Sequence, residues 1–411
     1  MMQRLMGNIG KTMHESGIGG EWLEMDDLFE FCRFKLLHAS INSMFGEYLT
    51  QLHPDFVADY WAFDACTTTL VKGFPRWMVP ESWRARRKCL DSLKHWKAYV
   101  DKLAKADGGR EYDGVDPFFG SQFIRQRHEA FGKMEPMNAD SMAAEDLAIM
   151  WASNSNAIPA AFWLLYEIFR DPQLLERVRK EVDATRLPSD DPNAPPRFDL
   201  EALTKATLLQ SVYAETLRIN TAILVARMPE HEDFRLGDHV FEKDKLMVAA
   251  SYVAHHDTNV WNQGTPEDPH PLSEFWAERF LIQPGNTRSG PLNPSAKNKD
   301  VLPRGEAELA GGALETTAHA DTAKFSIDGL SGAFVPYGGG QSLCPGRHYA
   351  KQEMLMTFAI LATSFDVEIL HGPGEATKLD MKYFGLGVLP PRTATPCRIR
   401  RRNIRRDSAV A

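Results

Sequence analysis

The densest run of chemistry-bearing residues is Tyr337-Gly338-Gly339-Gly340-Gln341-Ser342-Leu343-Cys344-Pro345-Gly346-Arg347. Glycines let a backbone bend sharply and approach something flat. Cys344 follows that turn and precedes a predicted helix that opens near Gly346. A sulfur so placed faces backbone N–H groups and a helix N-terminus, which favour the thiolate over the thiol. Such a thiolate is a good ligand for a metal or a haem iron. An isolated loop cysteine is ordinarily an inert core thiol. Gly340 and Gly346, at fixed offsets from Cys344, weigh against that here.

Two other chemistries compete for the same stretch. Gly340-Gln341-Ser342-Leu343-Cys344 nearly spells the G-x-S-x-G nucleophile elbow of a hydrolase acting through Ser342. Its final glycine is a cysteine, and no clear buried strand precedes it. Cys344 and His348 are four apart, a metal-compatible helical spacing. Two further ligands are not evident, which argues against zinc.

Glu215-Thr216-Leu217-Arg218 is the second signal. Residues three apart share a helix face and can pair. A surface ion pair is the usual meaning of that spacing. Leu208, Leu209, Val212 and Leu217 mark this helix as largely buried, however. A buried pair is held comfortably only when its remaining donors and acceptors are satisfied.

The elements that must position these groups are mostly helical. Asp26 to Ile41 carries a helix-period apolar face, and Trp83 to Ala104 a second one. A long helix is predicted from about Ser141 to Phe169, capped near Ser141 and kinked by Pro159. Pro172 to Val182 and Leu200 to Ile219 follow as helices, with a proline-rich exposed loop, Leu187 to Arg197, between them. His239 to Phe241 and Leu246 to Ser251 are strand-like. Residues 283–330 form a long surface excursion, and an apolar helix runs from Arg347 to Phe365. The expected fold is mainly α with small β-sheets, as a single domain over residues 1–411.

Composition narrows the function. The chain has 411 residues, 43% of them hydrophobic and 25% charged, enough for a large core. A net charge of −8 argues against a dedicated nucleic-acid binder, which needs a Lys/Arg excess. The local exception, Arg398, Arg400, Arg401, Arg402, Arg405 and Arg406, reads as a solvated basic tail over residues 398–411. Five widely spaced cysteines without a CxxC motif argue against a disulfide framework. No membrane-spanning segment or signal peptide is legible; the most apolar stretch, Ala157 to Phe169, is too short.

Taken in order, Glu215-x-x-Arg218, Trp276-Ala277-Glu278-Arg279-Phe280 and the Cys344 loop resemble the cytochrome P450 superfamily. The resemblance covers roughly residue 20 onward. It implies a haem b whose iron takes Cys344 as axial ligand. Tyr337, Gly340 and Gly346 belong to the same cofactor-binding loop. By the same resemblance Glu215, Arg218 and Arg279 form a buried structural triad behind the haem, and Arg227 contacts a haem propionate. His256-Asp257 and Trp261 match a further family segment between them.

Trp151 to Trp163 is similar to the central helix of the steroid 7-hydroxylase and prostacyclin synthase branch. Most members carry an acid and then Thr there, to deliver protons to bound oxygen. This chain has Asn156 and Ala157, which are assigned to the wall of the oxygen pocket. Tyr337 replaces the usual Phe, and Ser342 replaces the usual basic propionate partner.

The resemblance implies a fungal-type monooxygenase. It would hydroxylate an apolar sterol, terpenoid or other lipid-like molecule with O2 and electrons from NADPH through NADPH–cytochrome P450 reductase. It also implies an endoplasmic-reticulum membrane location. The alternatives are a P450-type peroxide isomerase, for which Ala157 speaks, and a non-catalytic remnant. Against the family the chain is short, and it is expected to lack the anchor, first helices and first strands at its N-terminal end.

Overall fold

A computed structural model describes residues 1–112, 114–189, 191, 194–295, 322–370 and 377–402. In chain order its elements are α1 (Met2–His14), β1 (Leu23–Met25), α2 (Leu28–Met44), α3 (Tyr48–Leu52), α4 (Phe56–Leu70), α5 (Pro80–Ala106), α6 (Gln122–Phe131), α7 (Ala139–Asn154), α8 (Ala157–Phe169) and α9 (Pro172–Asp183). There follow α10 (Leu200–Lys205), α11 (Thr207–Asn220), β2 (Thr221–Arg227), β3 (Phe234–Leu236), β4 (His239–Phe241), β5 (Met247–Ala250) and α12 (Ser251–His255). The last are β6 (Leu281–Ile282), β7 (Lys324–Phe325), α13 (Arg347–Ser364), β8 (Phe365–Ile369), β9 (Leu386–Val388) and β10 (Cys397–Arg401).

The centre is α8, every residue of which is buried. A helix that is apolar all round must be enclosed by others. Here α2, α9, α11 and α13 pack around it. Phe162 meets Phe29 of α2 edge-on with ring centroids 5.1 Å apart. Trp163 Nε1 donates to the Leu389 carbonyl at 2.7 Å, so the indole is buried without leaving its N–H unpaired.

Several expectations for the helices are corrected. The long helix from Ser141 to Phe169 is two helices, broken at Ser155 and Asn156. Just before the break, Ser153 Oγ and Asn154 Nδ2 donate back to the carbonyls of Ile149 and Met150. Such bonds compete with the helical ladder. Pro159, in the first turn of α8, contributes to that break: it lacks the N–H that would bond the Ser155 carbonyl four residues back, so the helix is interrupted there and the apolar pattern resumes beyond it. The N-cap is Asn138, whose side chain accepts from the Ser141 N–H. Leu200 to Ile219 is likewise split, at Ala206. The first residues, in which no element was predicted, form the amphipathic α1, which buries Leu5, Met6, Ile9 and Met13 against α2 and α13.

Small antiparallel sheets flank the helices, in the orders β1-β10-β8, β5-β2-β9, β3-β4 and β6-β7. The predicted basic tail is a strand as far as Arg401. Cys397 and Ile399 point into the core, while Arg398 and Arg400 alternate outward. Arg398 pairs with Glu368 across the sheet, and both arginines lie over Trp22 at 4.6 and 4.4 Å. Arg405 and Arg406 lie outside the described residues, as do residues 296–321 of the expected excursion. Among the described residues, no helix is long and apolar enough to cross a membrane.

Candidate functional site

Glu215 and Arg218 sit one turn apart on the buried α11. Arg218 donates from Nε to Glu215 Oε2 at 2.7 Å and from Nη2 to Oε1 at 2.8 Å. Arg279 Nε adds a bond to Oε1 at 2.9 Å. All three side chains are fully enclosed. Burial alone would raise the Glu215 carboxyl, but the two guanidinium charges and their hydrogen bonds outweigh it and hold the group below its ordinary value. The spare donors are spent on carbonyls: Arg218 on His255 and Leu272, Arg279 on Asn262, His270, Pro271 and Glu274. That satisfaction lets so much charge stay buried.

His255 ties this cluster to the thiol loop. Its Nδ1 lies 3.0 Å from the Arg218 carbonyl and its Nε2 3.1 Å from the Val335 backbone N. A carbonyl only accepts and an amide N–H only donates, so the proton sits on Nδ1. Burial, helped by Arg218 and His256, lowers its pKa to about 3. The sequence reading chose His256, which instead stacks on Tyr252 at 4.2 Å. The signal for its neighbour was present in the adjacent histidine pair; burial, which decides between them, is tertiary. Trp261 lies under Arg218, 5.6 Å from the guanidinium to the ring centroid.

The loop itself is shaped by backbone bonds. Cys344 N–H donates to the Tyr337 carbonyl at 3.0 Å, and Arg347 Nη1 to the Cys344 carbonyl at 3.2 Å. Gly340 has φ +63°, a region that side-chain-bearing residues rarely adopt. Arg227, at the end of β2, donates from Nη2 to the Gly339 carbonyl at 2.8 Å. Tyr337 shares a hydrogen bond of 2.7 Å with Tyr213 of α11. The structure thus brings Arg227, Tyr337, Gly340, Cys344 and Gly346 into one loop region, cross-linked to the Glu215 helix. Ser342 lies in a single 3-10 turn, Gly340–Ser342, unlike the strand-to-helix corner of a nucleophile elbow. Among the described residues, no group of three or more His, Cys, Asp or Glu could hold a metal ion.

Asn156 and Ala157 reach the loop region through a sheet. Asn156 Oδ1 accepts from the Val388 N–H at 2.8 Å. Strand β9 pairs with β2, which ends at Arg227. The fit at β9 depends on Gly387, where an added Cβ would stand 1.9 Å from Asn156 Oδ1.

The surface beside Cys344 has room for a flat group. An added Cβ at Gly339 would meet nothing within 4 Å, and one at Gly340 only Arg227 Nη2 at 3.9 Å. Leu224 and Met228 of the adjoining strand region present 42% and 47% of their surface, an apolar wall beside the loop.

The family model for cytochrome P450 matches residues 28–294. The chain belongs to the cytochrome P450 family. A cytochrome P450 monooxygenase of Hormonema carpetanum is 38% identical over 393 residues, covering 95% of this chain and 66% of that protein. One from Humicola fuscoatra is 38% identical over 391 residues, covering 93% and 64%. The chain is also 25% identical over 401 residues to cytochrome P450 7A1 of Oryctolagus cuniculus, covering 94% and 69%. This likeness supports membership of the steroid 7-hydroxylase-like branch. Among solved structures, the crystal structure of a cytochrome P450 matches with a TM-score of 0.59 at 18% identity, over 97% of this chain and 74% of the other. That match shows the P450 fold. The chain spans slightly less than two thirds of the length of the two fungal relatives, 66% and 64%. The cofactor of the family is haem.

Proposed function

We propose that the chain is the haem-thiolate part of an oxygenase that hydroxylates an apolar small molecule, using O2 and electrons from NADPH delivered by NADPH–cytochrome P450 reductase. The observation that carries this reading is the cross-linking of the Cys344 loop to the Glu215–Arg218–Arg279 cluster through His255. Haem bound here supplies the oxygen-activating chemistry; the chain supplies position and environment. Cys344, two residues before the N-cap of α13, is assigned as the iron ligand. Arg227 is assigned to a propionate. Glu215, Arg218 and Arg279 keep α11 and the loop in fixed relation. The first turn of α8 shields the reacting face from bulk water.

The substrate class follows the relatives. A hamster relative is named cholesterol 7-alpha-monooxygenase, at 26% identity. A sterol, terpenoid or other lipid-like molecule is assigned on that ground. The location assigned is the endoplasmic-reticulum membrane. Support comes from the connection between α4 and α5, where Trp77, Val71, Met78 and Phe74 are 79%, 63%, 51% and 42% exposed beside Lys72 and Arg76.

One observation favours a second reading, the peroxide isomerase. Asn156 is an amide, whose N–H donates hydrogen bonds but is no acid, and Ala157 has no hydroxyl, so neither residue can supply a proton as an acid and a hydroxyl would. Turnover dependent on NADPH, reductase and O2 supports the oxygenase. Turnover of a hydroperoxide without them supports the isomerase.

A further inference from the structure

Away from the thiol loop, two histidines of different helices meet ring nitrogen to ring nitrogen. His53 Nε2 lies 3.0 Å from His95 Nδ1, with the ring centroids 5.0 Å apart and the ring planes at 84°. His53 closes α3, its N–H bonded to the Leu49 carbonyl. His95 sits near the middle of the long α5. The two supports are packed together, with the rings of Tyr48 on α3 and Tyr99 on α5 5.5 Å apart. Helix ends and helix interiors hold side chains more precisely than loops do.

Two neutral imidazoles can face each other in two ways. One nitrogen carries a proton and donates to the other, or both lone pairs point at a shared cation. The spacing bears on which cation. With metal–nitrogen bonds of about 2.0 Å, two ligands at the tetrahedral angle stand roughly 3.3 Å apart, and two cis ligands of a square site roughly 2.8 Å. The observed 3.0 Å is nearer the square value, the geometry of Cu(II) or Ni(II). Of these two, Cu(II) binds nitrogen ligands more tightly.

The surrounding charges do not oppose a cation. Asp59 of α4 is the acid whose charge acts on His53, and Lys88 of α5 pairs with it at 2.7 Å. Asp91, one turn before His95, is paired with Lys94 at 2.7 Å. Each acid is thus matched by a lysine. Burial and then His95 hold the His53 ring below its ordinary value, against Asp59, in the neutral form that ligates metals. His95 is exposed, so a metal can enter from solvent. Among the described residues no third His, Cys, Asp or Glu completes the set. Water therefore fills the remaining positions, and the metal exchanges.

We propose that His53 Nε2 and His95 Nδ1 form a two-nitrogen site for an exchangeable Cu(II) ion, which clips the end of α3 to the middle of α5. The ion replaces the hydrogen bond between the rings. The ring that donated moves its proton to its own far nitrogen, so both facing lone pairs become ligands and no net proton leaves. The site is separate from the Cys344 loop and does not depend on the oxygenase reading.

The test is titration of the full chain with copper(II) chloride, with glycine present to compete for loosely held metal, read by calorimetry and by electron paramagnetic resonance. The wild-type chain should take up one equivalent whose spectrum carries the couplings of two imidazole nitrogens. His53→Gln and His95→Gln should each bind that equivalent at least about tenfold more weakly, because the second nitrogen is no longer supplied at high effective concentration. Copper should raise the melting temperature of wild type and leave that of both variants unmoved. His239→Gln, an exposed histidine on β4, should behave as wild type. Circular dichroism checks that each variant is folded, and either of the two single variants decides the matter if the other fails to fold. Copper uptake of equal stoichiometry and affinity in wild type and a folded variant, or a wild-type spectrum without two imidazole nitrogens, overturns the proposal.

Discussion

His255 holds the Val335 N–H on its Nε2 at 3.1 Å, joining the buried ion cluster to the start of the thiol loop. That bond requires a neutral ring. The folded pKa near 3 lies below the unfolded value of 6.5. The unfolded chain then binds more protons than the folded one as pH falls. The stability contributed by the neutral ring is complete above 6.5 and is lost progressively from there toward 3. At pH 5.5 the loss is on the order of 1 kcal/mol. Urea unfolding at pH 7.5 and 5.5 should show this decrement in wild type and a smaller one in His255→Asn.

Glu353 predicts the opposite slope. It is buried on α13, both carboxylate oxygens lack partners, and burial raises its pKa from 4.5 to about 8. Tyr60 of α4 and Tyr349, one turn earlier on α13, are close enough to feel its charge. The Tyr60 hydroxyl is also unpartnered, and neither tyrosine brings a positive charge. The folded chain keeps this proton while the unfolded chain loses it. Stability therefore falls as pH rises from about 4.5 toward 8, by on the order of 1 kcal/mol per unit. Glu353→Gln should flatten that limb and raise the melting temperature at pH 7.5 relative to wild type.

Removing the shared carboxylate of the ion cluster leaves two buried guanidinium groups facing each other. Glu215→Gln is expected to destabilise the fold by about 3–5 kcal/mol, the range for breaking a buried pair. Chemical denaturation measures it. A loss under 1 kcal/mol would show that the cluster does not hold α11 to the loop.

Gly387→Ala places a methyl group on Asn156 Oδ1 and asks a side-chain-bearing residue to adopt φ +141°. Asn156→Ala removes the first conflict and keeps the second. A double-mutant cycle should therefore show Gly387→Ala costing less in the Asn156→Ala background, with a coupling of about 0.5–3 kcal/mol. Additive costs would contradict the bracket between α8 and β9.

What the sequence made legible was chemistry with local spacing. Glu215 and Arg218 share a helix face, and Cys344 sits between turn glycines and a helix start; both are readable from order alone. Arg279 needed the family pattern, because nothing local says that it folds back 64 residues onto Glu215. His255 and the Asn156 bracket escaped because their partners, Val335 and Val388, are distant backbone groups. The break at Ser155 was hidden because the apolar pattern continues through it. The strand at Arg398 was masked by charge, although Cys397 and Ile399 alternate with the arginines as a half-buried strand should.

The account stands on Cys344 as the ligand of a bound haem. The full chain, expressed with haem available, should give in its reduced carbon monoxide difference spectrum the red-shifted Soret band of a thiolate-ligated haem. Cys344→Ala should lose that band while keeping its helical circular dichroism. An unchanged band in Cys344→Ala, or no thiolate band in a folded wild-type chain loaded with haem, would contradict it.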